Sequence, residues 1–258
     1  MTVKTTNDKK YIMNNKIIQS LWIGDKLSNN ELLCLRSYAY HDHEFHLYVY
    51  DDIPNIPRDI KVKDANAIIP ASRLFKDSFN TYGSFADWFR LKLLFQRGGW
   101  WVDMDTICVQ SFNIPYEYCF SSEWNYGMEK VQINNTCIKS PAGAAYLKGL
   151  LDQIEERING EDPVRWGEIG VYLFRKVMVS YDNVLEHMKE PAVFCPVNYF
   201  NLSGLICKNG YLPEQDTLTV HLWNEIWRRG NLDKDAIYHP DSVYERLKKK
   251  YLAPPVLR

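Results

Sequence analysis

The stretch Ser84 to Val109, SFADWFRLKLLFQRGGWWVDMDTICV, decides how the chain is read. From Phe85 to Gln96 its residues are good helix formers, with apolar side chains at Phe85, Trp88, Phe89, Leu91 and Leu94. The run stops at Gly98-Gly99, which supplies a left-handed C-terminal cap. Trp100, Trp101 and Val102 then suit a buried strand. Because side chains alternate along extended backbone, Asp103 and Asp105 are expected on one side at that strand's carboxyl end, where two carboxylates can hold one divalent cation. An Asp-x-Asp tripeptide is weak alone, and Asp233-Lys234-Asp235 repeats the spacing in a polar segment with no strand before it. The setting distinguishes Asp103-Met104-Asp105, since charge placed against a strongly apolar strand is costly without compensation.

Working outward, Asp87 and Arg90 lie three apart on the helix and share a face. A surface ion pair there would contribute little, but the helix is otherwise apolar and runs directly into the Asp strand. Upstream, Lys16–Gly24 reads as a first strand. Ser28 or Asn29 caps a helix through Tyr40, and Glu44–Tyr50 forms a second strand before Asp51-Asp52. Strand, helix and strand with a short return imply a parallel pair and a Rossmann-like half. Such sheets bind ligands at strand ends, so Asp52 either reaches a ribose or sits in a solvated turn. The cluster His41-Asp42-His43-Glu44-Phe45-His46 has no spacing that completes a tetrahedral metal set and reads as a turn entering the strand.

Downstream, Gln132–Ile138 looks like a strand, and Ser140-Pro141 opens a helix from Ala142 to about Asn159. Glu168 precedes a helix Tyr172–Val179 and is either a ligand contact or a helix-start carboxylate favoured by the dipole. Thr217–Asn224 alternates, placing Leu218, Val220 and Leu222 on one face and Thr219, His221 and Trp223 on the other. The helix Ser242–Tyr251 gathers Arg246, Lys248, Lys249 and Lys250 near its C-terminus. They suit the helix dipole or, in a functional reading, form a basic patch giving at most weak peripheral membrane association.

The 258 residues suffice for one α/β domain with a sizeable core. A flexible segment 1–15 is expected to precede a domain over 16–258. The formal charge of −1 is interspersed, which argues against nucleic acid and for a small-molecule substrate. Six cysteines without a Cys-x-x-Cys pair read as reduced thiols, and no signal peptide or membrane span is apparent, so a cytoplasmic location is expected.

Ala86-Asp87-x-x-Arg90, Gly98-Gly99 and Trp101-Val102-Asp103-Met104-Asp105 resemble the Asp-x-x-Arg, Gly-Gly, Asp-x-Asp block of sugar-nucleotide-dependent glycosyltransferases with the GT-A fold. The resemblance is closest to glycosyltransferase family 32 and more distant to the glucosylating domain of the large clostridial toxins. Two tryptophans replace the family's usual Tyr and short hydrophobic residue. The resemblance implies an α/β, Rossmann-like domain with a mostly parallel sheet flanked by helices. It also implies an enzyme moving a hexose from a nucleotide-diphosphate sugar, expected to be a UDP-sugar, to a glycan or lipid-linked glycan acceptor in surface polysaccharide synthesis.

On that resemblance Trp22-Ile23 meets the nucleotide base, and Asp87 binds hydroxyls of ribose or sugar. Arg90 serves the transferring sugar and the leaving phosphate, and Asn134 or Asn135 faces the donor sugar. Trp101 is counted with the substrate-binding residues. His221 completes a cation shell with Asp103 and Asp105, and Trp223 covers the diphosphate. Mn2+ or Mg2+ suits hard oxygens plus one imidazole. The identifiable residues gather around the leaving group and none stands out as a base for the acceptor, which suits retention, as the resembling families imply. A metal-dependent phospho- or nucleotidyltransferase is the alternative; no Gly-x-x-x-x-Gly-Lys-Ser/Thr loop supports it.

Overall fold

A computed structural model of the chain describes residues 15–181, 185–208 and 213–253. The expected flexible segment lies outside these residues except for Asn15. That side chain is buried, donates to Ile114 O at 2.9 Å and accepts from Trp100 Nε1 and Lys139 Nζ.

The opening strand, helix and strand form as the pattern predicts: β1 is Ile17–Leu21, α1 is Asn29–Tyr40 and β2 is Glu44–Val49. Glu31 fixes the start of α1 by accepting from the backbone N–H and hydroxyl of Ser28 at 2.8 and 2.6 Å. The strand pair is parallel, in register from Ile17 opposite Glu44 to Leu21 opposite Tyr48. β3 (Lys61–Asp64) adds parallel to β2. The chain then crosses back through α2 (Gly83–Arg97) to β4 (Gly99–Val102), on the other side of β1 and parallel to it.

Gly98 makes that return possible. Its φ is 64°, and a Cβ there would lie 2.6 Å from Ala142 N, so both conformation and space call for glycine.

After β5 (Thr106–Cys108) come β6 (Cys119–Asn125) and β7 (Lys130–Ser140). β7 pairs antiparallel with β4, and β6 pairs antiparallel with β7. The six-stranded order is therefore β3-β2-β1-β4-β7-β6, a mostly parallel α/β sheet as expected. The remaining helices named here are α3 (Ala145–Ile158), α4 (Leu173–Met178), α5 (Asn224–Arg229) and α6 (Val243–Tyr251).

Alternation along β4 divides the core between the two faces of the sheet. Trp100 joins Leu33, Phe45 and Leu47 beside α1, whereas Trp101 joins Phe85, Phe89, Leu147 and Phe174 beside α2 and α3. Order reverses at β1: its successors run outward to β2 and β3 before the chain returns to β4. The crevice between the carboxyl ends of β1 and β4 is thus the switch point where open α/β sheets bind ligands.

Expected boundaries shorten, β1 ending at Leu21 rather than Gly24 among them. The alternating segment 217–224 is strand only over β8 (Thr219–His221), paired antiparallel with β5 so that His221 opposes Thr106. The helix expected from Ala142 begins at Ala145, because Gly143 has a φ of 71° and donates its N–H to Phe95 O. No described helix is long and apolar enough to cross a membrane. All six cysteines are unpaired, and five are buried.

Candidate active site

Asp103 and Asp105 converge for a reason other than the one alternation suggests. β4 ends at Val102 and β5 begins at Thr106, so the acidic tripeptide is a turn between two strands rather than a strand terminus. Asp103 N donates to Thr136 O, and Thr106 N closes back on Asp103 O, both at 3.0 Å. β8 alongside then delivers His221, whose Nε2 lies 3.2 Å from Asp105 Oδ1. One ligand atom from each of Asp103, Asp105 and His221 falls within a span of 4.8 Å. Among the described residues this is the one such group of His, Cys, Asp and Glu.

Each of the three is held by neighbours. Asp103 Oδ1 accepts from Trp101 Nε1 at 2.9 Å and pairs with Arg90 at 3.0 Å. Asp105 Oδ2 accepts from Asn224 N, at the start of α5, at 2.6 Å. On its other side, His221 Nδ1 faces the buried Cys195 Sγ at 3.8 Å. Burial, offset partly by Arg90 and reinforced by Asp105, pushes the Asp103 carboxyl up. Burial also opposes ionisation of Asp105, but His221 and the Asn224 N–H overcome it and hold that carboxyl below its ordinary range. For His221, burial disfavours the cation, yet the charge and hydrogen bond of Asp105 outweigh it and hold the pKa well above ordinary. Two crowded carboxylates and one imidazole supply hard oxygens plus a nitrogen, a donor set that fits a divalent cation.

Asp87 and Arg90 are far from a surface pair. Arg90 is buried, spans Asp87 at 3.2 Å and Asp103 at 3.0 Å, donates to Asn135 O at 2.5 Å and lies over the Trp101 ring. Asn135 Nδ2 returns to Asp87 Oδ1 at 2.8 Å. Burial, only partly countered by Arg90, raises the Asp87 carboxyl to about 6.

These groups line a cleft of about 1210 Å³. Of the residues the sequence pointed to, Trp22, Ile23, Asp87, Arg90, Trp101, Asp103, Asp105, Asn134, Asn135, His221 and Trp223 all line it. Trp22 follows β1 directly, is half-buried and donates Nε1 to Lys26 O at 3.2 Å. Both asparagines reach the cleft although neighbours on a strand face opposite ways: Asn134 bonds Ser121 and Glu123, while Asn135 bonds Asp87. Trp223 departs from strand geometry at φ 61°, which lays its ring 3.8 Å from that of His221.

Two expectations are corrected. Asp52 is exposed and does not line the cleft, since the chain turns outward after β2. Glu168 points away: Gly167, at φ 76°, turns the chain, and the carboxylate pairs with Arg157 at 2.7 Å in a separate groove. That pairing and an N–H from Arg165 hold its carboxyl below the ordinary range.

The sequence reading also passed over residues that the fold brings in. Glu123 and Arg175 pair at 2.8 Å on the cleft wall. Asp233, Lys234 and Asp235, the polar segment with the contrasting Asp-x-Asp spacing, line the same cleft. Asp235 accepts from Asn29 N, and Lys234 pairs with the buried Glu31 at 2.9 Å.

Residues 4–121 match the family described as glycosyltransferase sugar-binding region containing DXD motif. The family matched is one of glycosyltransferases, and the Asp-x-Asp tripeptide Asp103-Met104-Asp105 falls within the matched span. Among solved structures the chain is similar to the PaToxG glycosyltransferase, with 17% identity, coverage of 70% of this chain and 79% of that one, and a TM-score of 0.50. It is similar also to the UDP-bound glycosyltransferase domain from the YGT toxin, with 12% identity, 90% and 82% coverage and a TM-score of 0.42. A third is the apo-form glycosyltransferase GlyE of Streptococcus pneumoniae TIGR4, with 11% identity, 92% and 63% coverage and a TM-score of 0.41. No curated protein matches the chain in sequence.

Proposed function

We propose that this protein is a metal-dependent, retaining hexosyltransferase that takes a UDP-sugar as donor and a glycan or lipid-linked glycan as acceptor. The observation that carries the reading is the convergence of Asp103, Asp105 and His221 within 4.8 Å at the sheet's switch point. These three residues would hold Mn2+ or Mg2+, which when bound supplies Lewis-acid stabilisation of a diphosphate leaving group. Trp101 and Arg90 orient Asp103, and Asn224 N–H orients Asp105. Trp22, directly after β1 and lining the cleft, offers a ring to the uracil. Asp87 and Asn135 would take sugar or ribose hydroxyls, while Arg90 adds positive charge beside the departing phosphate.

Retention is supported by the distribution of charge. Groups able to stabilise the leaving oxygen are dense, while the cleft carboxylates outside that cluster are engaged: Glu123 by Arg175 at 2.8 Å, Glu225 by Arg228 and Arg229 at 2.7 Å, and Asp235 and Asp233 by the N–H groups of Asn29 and Asp235 at 2.8 Å. Such a layout suits a front-face path in which the leaving oxygen helps take the acceptor proton. The unpaired thiols suit a reducing, cytoplasmic setting, and surface polysaccharide synthesis is the role in which a glycan acceptor fits. The test is UDP-sugar turnover by purified protein with Mn2+ and with EDTA, beside Asp105→Asn. Turnover that requires the ion and falls by about 10³-fold in the variant supports the reading. Ion-independent turnover rejects it.

A further inference from the structure

A row of aromatic rings leads out of the cleft from the cation site. His221 and Trp223 lie 3.8 Å apart, Trp223 and Tyr199 5.9 Å, Tyr199 and Phe200 5.2 Å, and Phe200 and Tyr126 5.1 Å. Burial explains the inner members, but Phe200 is 48% exposed and Tyr126 69% exposed. Two large rings held together while facing water offer flat apolar faces to a ligand. We propose that Tyr199, Phe200 and Tyr126 form the acceptor subsite, and that its occupant is an oligosaccharide of two or more units, with pyranose C–H faces stacked on the rings. This rests on the glycosyltransferase reading above.

Three observations favour a saccharide over other occupants. The cleft, at about 1210 Å³, exceeds the roughly 300–1,000 Å³ of ordinary small-molecule sites, so there is space beyond a donor nucleotide. The rings stand beside polar side chains: Tyr199, the Glu123–Arg175 pair and Asn125 line the cleft, and Phe200 and Tyr126 follow Tyr199 and Asn125 directly in the chain, so hydroxyls find partners where an acyl chain would leave these groups unsolvated. An extended peptide would need a free strand edge. At β6, Phe120 already donates its N–H to His187 O and accepts from Lys189 N, so that part of the edge is taken.

The test uses the full chain with UDP and Mn2+ on an array of immobilised mono- and oligosaccharides. Wild type is compared with a Tyr126→Ala, Phe200→Ala double variant and with Tyr126→Trp. UDP affinity is measured calorimetrically in parallel. Because both positions are exposed, the variants should melt within a few degrees of wild type. Wild type should retain at least one oligosaccharide more tightly than its monosaccharide. The double variant should lose that retention by about tenfold or more, Tyr126→Trp should keep it, and UDP affinity should move less than twofold. Equal retention by the double variant, or no saccharide held by a wild type that binds UDP, would each overturn the proposal. A wild type that fails to bind UDP shows in the calorimetry alone as failure of the donor reading, and this proposal falls with it.

Discussion

The backbone of Gly170 lies directly against the carboxylate of Asp87. A Cβ at position 170 would fall 2.5 Å from Asp87 Cγ and closer still to Oδ2, well inside van der Waals contact. The glycine thus answers a need for space at the cleft wall.

Gly170→Ala is therefore expected to push Asp87 from Arg90 and Asn135. Turnover should fall by about 10²-fold, the scale of a misplaced substrate-positioning group. Overpacking should cost roughly 1–3 kcal/mol of stability. In an Asp87→Ala background the added methyl has nothing to strike, so its stability cost should shrink by more than half. A double-mutant cycle from urea unfolding checks this, and additive costs would remove Asp87 as the target of the clash.

The raised Asp87 carboxyl predicts a pH signature in ion-free protein. Its folded value, about 6 against an ordinary 3.8, means that the folded state binds this proton more tightly than the unfolded chain. That contribution to stability is fully present below the unfolded value and is lost as pH rises through about 6. Asp87→Asn cannot titrate, so its stability relative to wild type should improve by roughly 3 kcal/mol between pH 3 and pH 8. Urea midpoints in EDTA at several pH values measure the gap, and a constant offset would show that Asp87 is ionised at no special cost.

How much of this was legible in sequence depends on whether the signal was local. Asp103 and Asp105 stood out because charge follows an apolar strand, and the Gly98-Gly99 stop anticipated a turn in which Gly98 takes φ 64°. His221 and Trp223 were placed on a non-core face by alternation, although Trp223 arrives through a left-handed residue that no alternation encodes. Glu168 was sought near the cleft by its position before a helix, but a single turn at Gly167 directs it to Arg157. Glu123 and Arg175 carried no local signal, since they meet only when β6 and β7 return antiparallel beside α4. Asp233-Lys234-Asp235 looked like solvated surface because its partners, Asn29 and Glu31, lie some 200 residues away in sequence.

Arg90→Lys tests whether shape or charge matters at the centre of the cleft. The guanidinium reaches Asp87, Asp103 and Asn135 O simultaneously while lying over Trp101. An ammonium keeps the charge but has neither the fork nor the flat face. Turnover should drop by about 10²-fold or more with UDP affinity reduced less, and stability should fall by roughly 1–3 kcal/mol because a buried network loses partners. Near-wild-type turnover would make Arg90 a simple source of positive charge.

Trp22 separates a ligand-binding role from a packing one. It follows β1, is half-buried, packs against the core beside α1 and lines the cleft. A ring required for the nucleotide base should tolerate an aromatic replacement and not an aliphatic one, whereas a core residue should track volume. Trp22→Phe should therefore keep UDP affinity within about threefold, and Trp22→Leu should weaken it by tenfold or more, on a stacking contribution of roughly 1–3 kcal/mol per base. Both variants lose the Nε1 bond to Lys26 O, so that loss cancels in the comparison. Calorimetric UDP titrations and thermal melts on the same samples give the answer. If affinity follows stability across Phe and Leu, with no separate aromatic effect, Trp22 is a packing residue and the proposed base contact falls.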